Sequence, residues 1–543
     1  MDSIPELAGA ARGPGGGGVT MAMAAQVANA AGTRAEFSGM SARGIQVRLF
    51  LTCWIVYALH FSPFVTREAF LMMSVAERGT ARVDEYAGMH SDLVTFPGRG
   101  TYMTNNPGAS LAAAVLYWLA QPVMNRIAPV RPPKPGEAVS AQTKEERANR
   151  VRFYRLARER GLDVRMGAAA SFAAVFFMAP LAALSAVLMW RLFGHLGFTS
   201  RMSLWLALLY AFGTPVFLRA GTLSLNLLVG LLGLAAFALL WWPAGTRPEW
   251  EKWRIIGAGF LGGYAVLTDY SGAVSAAALG LYAFALQARK RKLWPGFRFS
   301  LWYLAGAAAP VAFLLYWQWI SYGNPWLPAQ FHMPVDTFKG LYASEHGVGW
   351  PLPEIMWGLW FDPMYGLLVY APVLALALYH VVLVWRRENR VPLDVTMFCW
   401  AFTAALWLFL SCIHYTIRYQ WIDGVRYIVP VVPFLFLLAA DVLARAPRAV
   451  AWSVGVLAVV ESWTLAMVRE HPMDCFHRVF MEGPELPWLT ILIKTAPQYA
   501  PQLAQGASPF GLFLVTGVVI WAIWRARAPW DSMEPQRNAD QNR

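Results

Sequence analysis

The feature that most constrains this chain is a succession of apolar runs, each near the length needed to cross a bilayer. They fall at roughly 45–63, 109–128, 167–190, 202–218, 222–242, 255–288, 299–320, 365–385, 394–413, 426–444, 448–467 and 509–524. A helix rises about 1.5 Å per residue, so about 20 apolar residues span the hydrocarbon core. The run at 255–288 is too long for one crossing and is expected to fold back at Thr268-Asp269-Tyr270. The expected fold class is all-α integral membrane, a polytopic bundle of about 12–13 transmembrane helices.

Composition agrees with that reading. Hydrophobic residues make up 57% of the chain and charged residues only 14%, where soluble domains run near one quarter charged. One membrane domain is expected over 45–528. Residues 1–44 are rich in Ala and Gly, including Gly15-Gly16-Gly17-Gly18, and read as a disordered cytoplasmic tail. Residues 529–543 read as a polar cytoplasmic tail. The net charge of +13 does not point to nucleic acid, because the basic residues sit in short clusters between apolar runs. Cys53, Cys399, Cys412 and Cys475 form neither a disulfide framework nor a CxxC metal motif.

Basic residues also suggest the orientation. Residues 131–165 carry ten Lys/Arg against five Asp/Glu, and are expected on the cytoplasmic side. Arg289-Lys290-Arg291-Lys292, Arg386-Arg387, Arg445 with Arg448, and Arg525 with Arg527 mark further cytoplasmic ends. The opposite face then holds four polar stretches, 64–108, 321–364, 414–425 and 468–508. One conflict follows. If 202–218 and 222–242 both cross, parity puts Arg247 to Arg254 outside, so one of them is expected to be a half-helix or re-entrant element near Gly213-Thr214-Pro215.

Candidate chemistry collects in these outer stretches. The stretch 64–108 is far longer than the usual connection of about 4 to 6 residues. It offers five carboxylates, among them Glu68, Asp84 and Asp92, and four arginines, among them Arg99. A carboxylate can deprotonate a hydroxyl, and arginine can clamp a phosphate bidentately. The second stretch carries His332, Asp336, Lys339, Glu345 and His346, whose spacing fits no metal-ligand motif. No metal and no cofactor are expected. The third carries Arg418 among aromatics and is followed by Arg426-Tyr427. Arginine beside aromatics at an interface suits an anionic headgroup or pyrophosphate, and equally a snorkelling aromatic belt. Arg426 opens an apolar run, where a cation is costly without an anionic partner. Asp269 reads either as a cap for the following helix or as a sugar or lipid contact.

Three motifs carry a family resemblance. Tyr102 leads to Asn106-Pro107-Gly108-Ala109-Ser110-Leu111. Gly366-Leu367-Leu368-Val369-Tyr370-Ala371-Pro372 follows, and then Trp421 through Gly424, Arg426-Tyr427 and Pro430. In order and spacing they resemble the polytopic GT-C-fold glycosyltransferases, in the bacterial branch related to protein O-mannosyltransferases and the lipid A aminoarabinose transferase. The resemblance spans most of residues 45–445. It implies a GT-C-like bundle with an extended first outer loop, in the cell membrane of a bacterium, with the active face periplasmic or extracellular. It implies that a polyprenyl-phosphate sugar enters from the lipid and that the sugar passes to a lipid, glycan or protein acceptor. Asp92 or Glu68 would be the general base, with Asp84 the third choice. Arg99, Arg418 and Arg426 would clamp the phosphate, and Tyr102, Asn106, Asp269 and His346 would contact substrate.

The sequence departs from that pattern twice. The family commonly has an acid directly after the first span, where this chain has Pro63-Phe64-Val65-Thr66-Arg67 before Glu68. Many relatives have an acid and a lysine before the Pro-Gly, where this chain has Thr104, Asn105 and Asn106. The rival classes are a transporter or lipid flippase and a catalytically silent relative. A transporter calls for ionisable groups at mid-bilayer, yet the charges here gather in the loops.

Overall fold

A computed structural model of the chain describes residues 40–133, 148–241, 248–332, 347–416 and 424–526. It is an all-α bundle, and the protein is a multi-pass membrane protein. Helix α1 (Ala42–Leu59) starts where the Ser41 side chain accepts from Gly44 N at 3.0 Å. After it come α2 (Arg67–Arg78), a β-hairpin, α3 (Gly108–Ile127), α4 (Ala148–Glu159) and the 33-residue helix α5 (Asp163–His195). Then α6 (Ser200–Phe212) and the short α7 (Pro215–Ala220) run to α8 (Leu225–Trp241). Helices α9 (Glu251–Thr268) and α10 (Gly272–Arg291) form the expected fold-back around Asp269. The long α11 (Leu293–Tyr322), α12 (Pro353–Phe361), α13 (Pro372–Trp385) and α14 (Leu393–Ser411) follow. The chain closes with α15 (Val429–Leu443), α16 (Arg448–Val468), α17 (Pro472–Met481), α18 (Pro487–Tyr499) and α19 (Phe510–Arg525).

Burial ranks these helices. Every residue from Val432 to Leu443 in α15 is buried, as is most of α8, so these two form the centre. Helix α19 buries none of its residues, which places it at the lipid-facing rim. Helices α9 and α11 cross at backbone contact. A Cβ on Gly259 would lie 1.9 Å from Tyr303 O, and one on Gly306 would lie 2.0 Å from Ile256 O, so only glycine fits.

The polar contacts sort into two ends. At one end Glu251 pairs with Lys290 and Arg291, Arg289 with Asp394, and Arg445 with Asp441. At the other, Arg469 donates to His60 O, Trp488 to Leu59 O, and Tyr322 to Met103 O. Asn106 donates to Val266 O, and Arg219 to Gly424 O and Val425 O. The loops 347–352 and 412–414 also join there, through His414 N to Gly347 O and Gly349 N to Cys412 O.

The first loop is structured rather than open. After α2, strands β1 (Leu93–Phe96) and β2 (Gly100–Met103) pair antiparallel, with Leu93 opposite Met103 and Phe96 opposite Gly100. Two sequence expectations are overturned next to it. The run 109–128 does not cross the bundle, and the described residues 131–133 and 148–165 are not at the opposite end. Arg160 donates to Glu85 O at 2.7 Å and to Ala87 O at 2.8 Å, and Arg165 donates to Glu77 at 2.8 Å. Arg165 also reaches Ala128 O and Asn125, and Arg131 N meets Gly161 O. Residues on opposite sides of a membrane cannot make those bonds. Helix α3 is long enough to cross but is not among the described helices that are both long and apolar enough to do so, and it shows one apolar face as an interfacial helix does. Its exposed face carries Val115, Trp118, Leu119, Val123 and Ile127.

Removing that crossing settles the parity conflict. Helix α5 runs from the loop end to the basic end, α6 with α7 returns, and α8 descends again. The segment before Arg254 then lies at the basic end, where Arg254 donates to Leu239 O. No half-helix is needed in α8. Thr214 caps α7 by accepting from Val216 N at 3.3 Å, so the break at Gly213-Thr214 kinks one crossing rather than ending it. The tails 1–39 and 527–543 lie outside the described residues, as do Arg247 and Arg527.

Candidate functional site

The loop end encloses a cavity of about 770 Å³. Several parts of the chain deliver its charged and polar lining. The start of α2 supplies Arg67 and Glu68, the segment before β1 supplies His90 and Asp92, the turn between α9 and α10 supplies Asp269, and the entry to α15 supplies Arg426 and Tyr427. Apolar side chains complete the lining, among them Phe61, Phe64 and Phe153 with Val164 and Ala168 of α5 and Ile491 and Leu492 of α18. The cavity therefore offers charged groups that suit an anion and apolar side chains that suit a hydrocarbon chain.

Arg67 is the hub. Its Nε donates to Glu68 Oε1 at 2.9 Å, and Nη1 donates to Asp92 Oδ2. With its amide oxygen turned toward the guanidinium, Asn105 accepts from Arg67 Nε at 2.6 Å. Helix α2 aims Arg67 and Glu68 at each other because they open the helix after Thr66, where the backbone is extended. Burial alone would raise the Asp92 carboxyl, but Arg67, His90 and Arg426 outweigh it and pull the carboxyl down to about 2. Asp92 is therefore fully ionised at neutral pH, and a weak base while Arg67 holds it. Burial lowers His90 below its ordinary value, with Arg67 and Arg426 adding to the effect against Asp92 and Glu68.

Asp269 is different. Its Oδ1 accepts from Ser271 N at 2.8 Å and Ser271 Oγ at 2.6 Å. It closes the turn before α10 and lines the cavity. Asn106 anchors the first loop on α9 through Nδ2 to Val266 O at 2.7 Å, and its buried Oδ1 has no partner among the described residues.

Of the residues singled out in the sequence, Glu68, Asp92, Asn106, Asp269 and Arg426 meet in this cavity. Asp84, Arg99 and Tyr102 do not line it. Asp84 accepts from Thr101 N at 2.6 Å and pairs with Arg82 at 2.8 Å, which ties the hairpin to the loop. Arg99 is exposed at the hairpin turn, and Tyr102 packs with Phe96 and Tyr322. His346 and Arg418 lie outside the described residues. Two cations of the site were missed in the sequence. Arg67 could have been found from its place next to Glu68 directly after the first span. Arg150, which lines the cavity from α4, was hidden by the assignment of 131–165 to the far side. Its guanidinium lies 5.3 Å from the Phe64 ring centroid, and Asp163 at the cavity edge is held by Arg158 and Tyr499.

No family model and no curated protein matches the chain. Solved structures do. The fold is similar to that of ArnT from Cupriavidus metallidurans in the apo state, with 16% identity and a TM-score of 0.45, covering 89% of this chain and 72% of that one. The same enzyme bound to undecaprenyl phosphate matches at 13% identity and a TM-score of 0.45, over 88% of this chain and 74% of that one. The oligosaccharyltransferase of Archaeoglobus fulgidus in the apo form matches at 12% identity and a TM-score of 0.38, over 86% of this chain and 59% of that one.

Proposed function

We propose that this protein transfers a sugar from a polyprenyl-phosphate donor to an acceptor hydroxyl, with the reaction in the cavity at the loop end and that end on the non-cytoplasmic face. The observation that carries the reading is one guanidinium, Arg67, shared between Glu68 and Asp92 in a cavity that is also lined by many apolar side chains. A lipid phosphate sugar has the matching polarity. Its chain would lie against α5 and α18, and its phosphate would face Arg67 and Arg426.

That arrangement gives the donor a way to activate the base. An arriving phosphate competes for Arg67, since guanidinium pairs with phosphate as readily as with carboxylate. Asp92 then loses its strongest stabilising charge and its basicity rises. It accepts the proton of the acceptor hydroxyl as that oxygen bonds to the sugar carbon. The bond from the same carbon to the phosphate oxygen breaks, and the phosphate leaves with the electron pair. Arg67 and Arg426 stabilise the charge that develops on it, which is usually the largest single contribution to such a reaction. Glu68 holds Arg67 in place as the second carboxylate, and Asp269 is placed to bind sugar hydroxyls.

The test uses the full-length protein in nanodiscs, polyprenyl-phosphate hexose donors and a mixed lipid, glycan and peptide acceptor pool. Release of free polyprenyl phosphate is the readout. Wild type should release it. Asp92→Asn should lower the rate by about 10²-fold or more, the usual weight of a general base. Asp84→Asn should stay within about threefold, because Asp84 holds the hairpin and not the substrate. An Asp92→Asn protein that works at the wild-type rate sinks the base assignment, and no release from any donor sinks the reaction.

A further inference from the structure

The stretch 468–508 reads in the sequence as one more polar loop. The structure gives it a helix, α17, with an apolar face that is largely exposed. We propose that α17 is an interfacial helix that lies along the membrane surface at the loop end, with this face sunk into the boundary between headgroups and acyl chains. This role is independent of sugar transfer.

The face itself is well defined. Met473, Phe480 and Met481 are 78%, 65% and 75% exposed. Phe476 stacks on Phe480 with ring centroids 6.0 Å apart. A spacing of i, i+3, i+7 and i+8 puts these four side chains on one side of a helix. Cys475, on the far side, is buried, and its Sγ donates to Glu470 O at 3.4 Å. Asp474 and Arg478 flank the apolar face. Only His477 interrupts it, with a ring whose apolar body and polar tip suit an interface. An exposed apolar patch rimmed by polar groups marks a contact with a membrane or another protein.

Where the helix is held decides between them. Helix α16 is long and apolar enough to cross the membrane, and it ends at Val468, just before α17 begins at Pro472. A chain extends at most about 3.6 Å per residue, so the first turn of α17 stays within about 15 Å of the end of that crossing. The other end is tied down as well. Arg478 Nη2 lies 2.5 and 2.6 Å from the two carboxylate oxygens of Glu485. Shortly after Glu485, Trp488 donates to Leu59 O at 3.1 Å and stacks on Phe61. Leu59 is the last residue of α1, another helix able to cross. Arg469 donates to His60 O at 3.3 Å, so α1 and α16 end at the same level.

Helix α17 is therefore fixed on both sides to the level at which two crossing helices leave the hydrocarbon. It has ten residues and is about 15 Å long, short enough to run along that boundary. Lipid is the neighbour within reach of its exposed face. A helix with Met and Phe on one side and charged groups on the other has the composition that lies in the interface plane. Glu485 also accepts from Thr490 of α18 at 2.9 Å, which couples the anchor to α18. Helix α18 in turn brings Ile491 and Leu492 to the main cavity. The depth of α17 thus sets the height at which that apolar lining meets the leaflet.

The experiment uses the full-length protein in phosphatidylcholine nanodiscs, with one nitroxide at a time. Met473→Cys, Phe480→Cys and Glu482→Cys, each in a Cys412→Ser background, supply the positions. Power saturation reads collision with oxygen and with a water-soluble nickel chelate. Labels at 473 and 480 should meet oxygen more than nickel, at a depth of about 5–10 Å inside the headgroup boundary. The label at 482 should show the reverse order. Nickel access at 473 and 480 equal to that at 482 puts the face in water and overturns the proposal. Access to neither reagent means that protein covers the face, a second copy included, and overturns it too. Because these labels replace side chains that hold the helix in lipid, the unmodified protein is tested in parallel. A lipid-soluble diazirine photolysed in the same nanodiscs should modify the peptide Pro472–Met481 as it modifies the rim helix α19. Labelling of α19 without α17 contradicts the proposal.

Discussion

Two arginine-rich segments of this chain look alike in the sequence and lie at opposite ends of the bundle. Residues 289–292 close α10 at the basic end, where Lys290 and Arg291 pair with Glu251 and Arg289 with Asp394. Their side chains stay 36% to 64% exposed. The arginines of 148–165 do the reverse. Arg165 is 2% exposed and bound to Glu77, and Arg160 is spent on two carbonyls of the first loop. Local basicity is the same, but the partners differ. The first loop carries enough carboxylates and free carbonyls to neutralise a basic segment on its own side. The rule that sends Lys and Arg to the cytoplasm counts charges next to crossings, and α3, which precedes this segment, does not cross.

The comparison can be broken in a stability measurement. Arg165→Gln leaves Glu77 half-buried without its cation and should cost about 3–5 kcal/mol, as expected for one partner of a buried pair. Arg291→Gln removes an exposed partner of Glu251 and should cost less than about 1 kcal/mol. Denaturation in detergent, followed by helical signal, separates the two. Equal losses would mean that the two segments are held in the same way.

A smaller effect follows from acid. Asp92 has a folded value of about 2 against an ordinary 3.8, so the folded state releases its proton more readily than the unfolded state does. Its contribution is complete above the ordinary value and is lost as pH falls from about 4 toward 2. The unfolding midpoint of wild type should drop over that interval, and Asp92→Asn should flatten the drop. An unchanged slope in the variant would remove Arg67 as the holder of Asp92.

Much of the bundle was legible because apolar length and turn residues are local signals. The fold-back at Asp269 and the break at Gly213-Thr214 both stood where chain length and helix-breaking residues put them. The role of 109–165 was not legible. An interfacial helix and a crossing helix share length, and what distinguishes them here is a set of contacts between residues 75 to 88 apart, such as Arg165 with Glu77 and Arg160 with Glu85. The site was legible in part for the same reason. Glu68, Asn106, Asp269 and Arg426 announce themselves as polar groups in or beside apolar runs, and Asp92 as a carboxylate of the long first loop. Arg150 reaches the cavity only because α4 lies at the loop end. Asp84 and Arg99 look as chemical in the sequence as Asp92 does, and only the hairpin they serve sets them apart. Arg67 brings its guanidinium to Asn105 from the start of α2, a contact that sequence spacing alone does not show.

The claim on which the site depends is that residues 148–165 share an end with the first loop, and side-selective labelling tests it most directly. Single cysteines at Arg152, Ser91 and Lys290, placed in a Cys412→Ser background, would be exposed to a membrane-impermeant maleimide in sealed, oriented vesicles. The exposed positions 152 and 91 should label from one side and position 290 only from the other. Labelling of 152 together with 290, and apart from 91, would contradict the account and return α4 and Arg150 to the far side of the membrane.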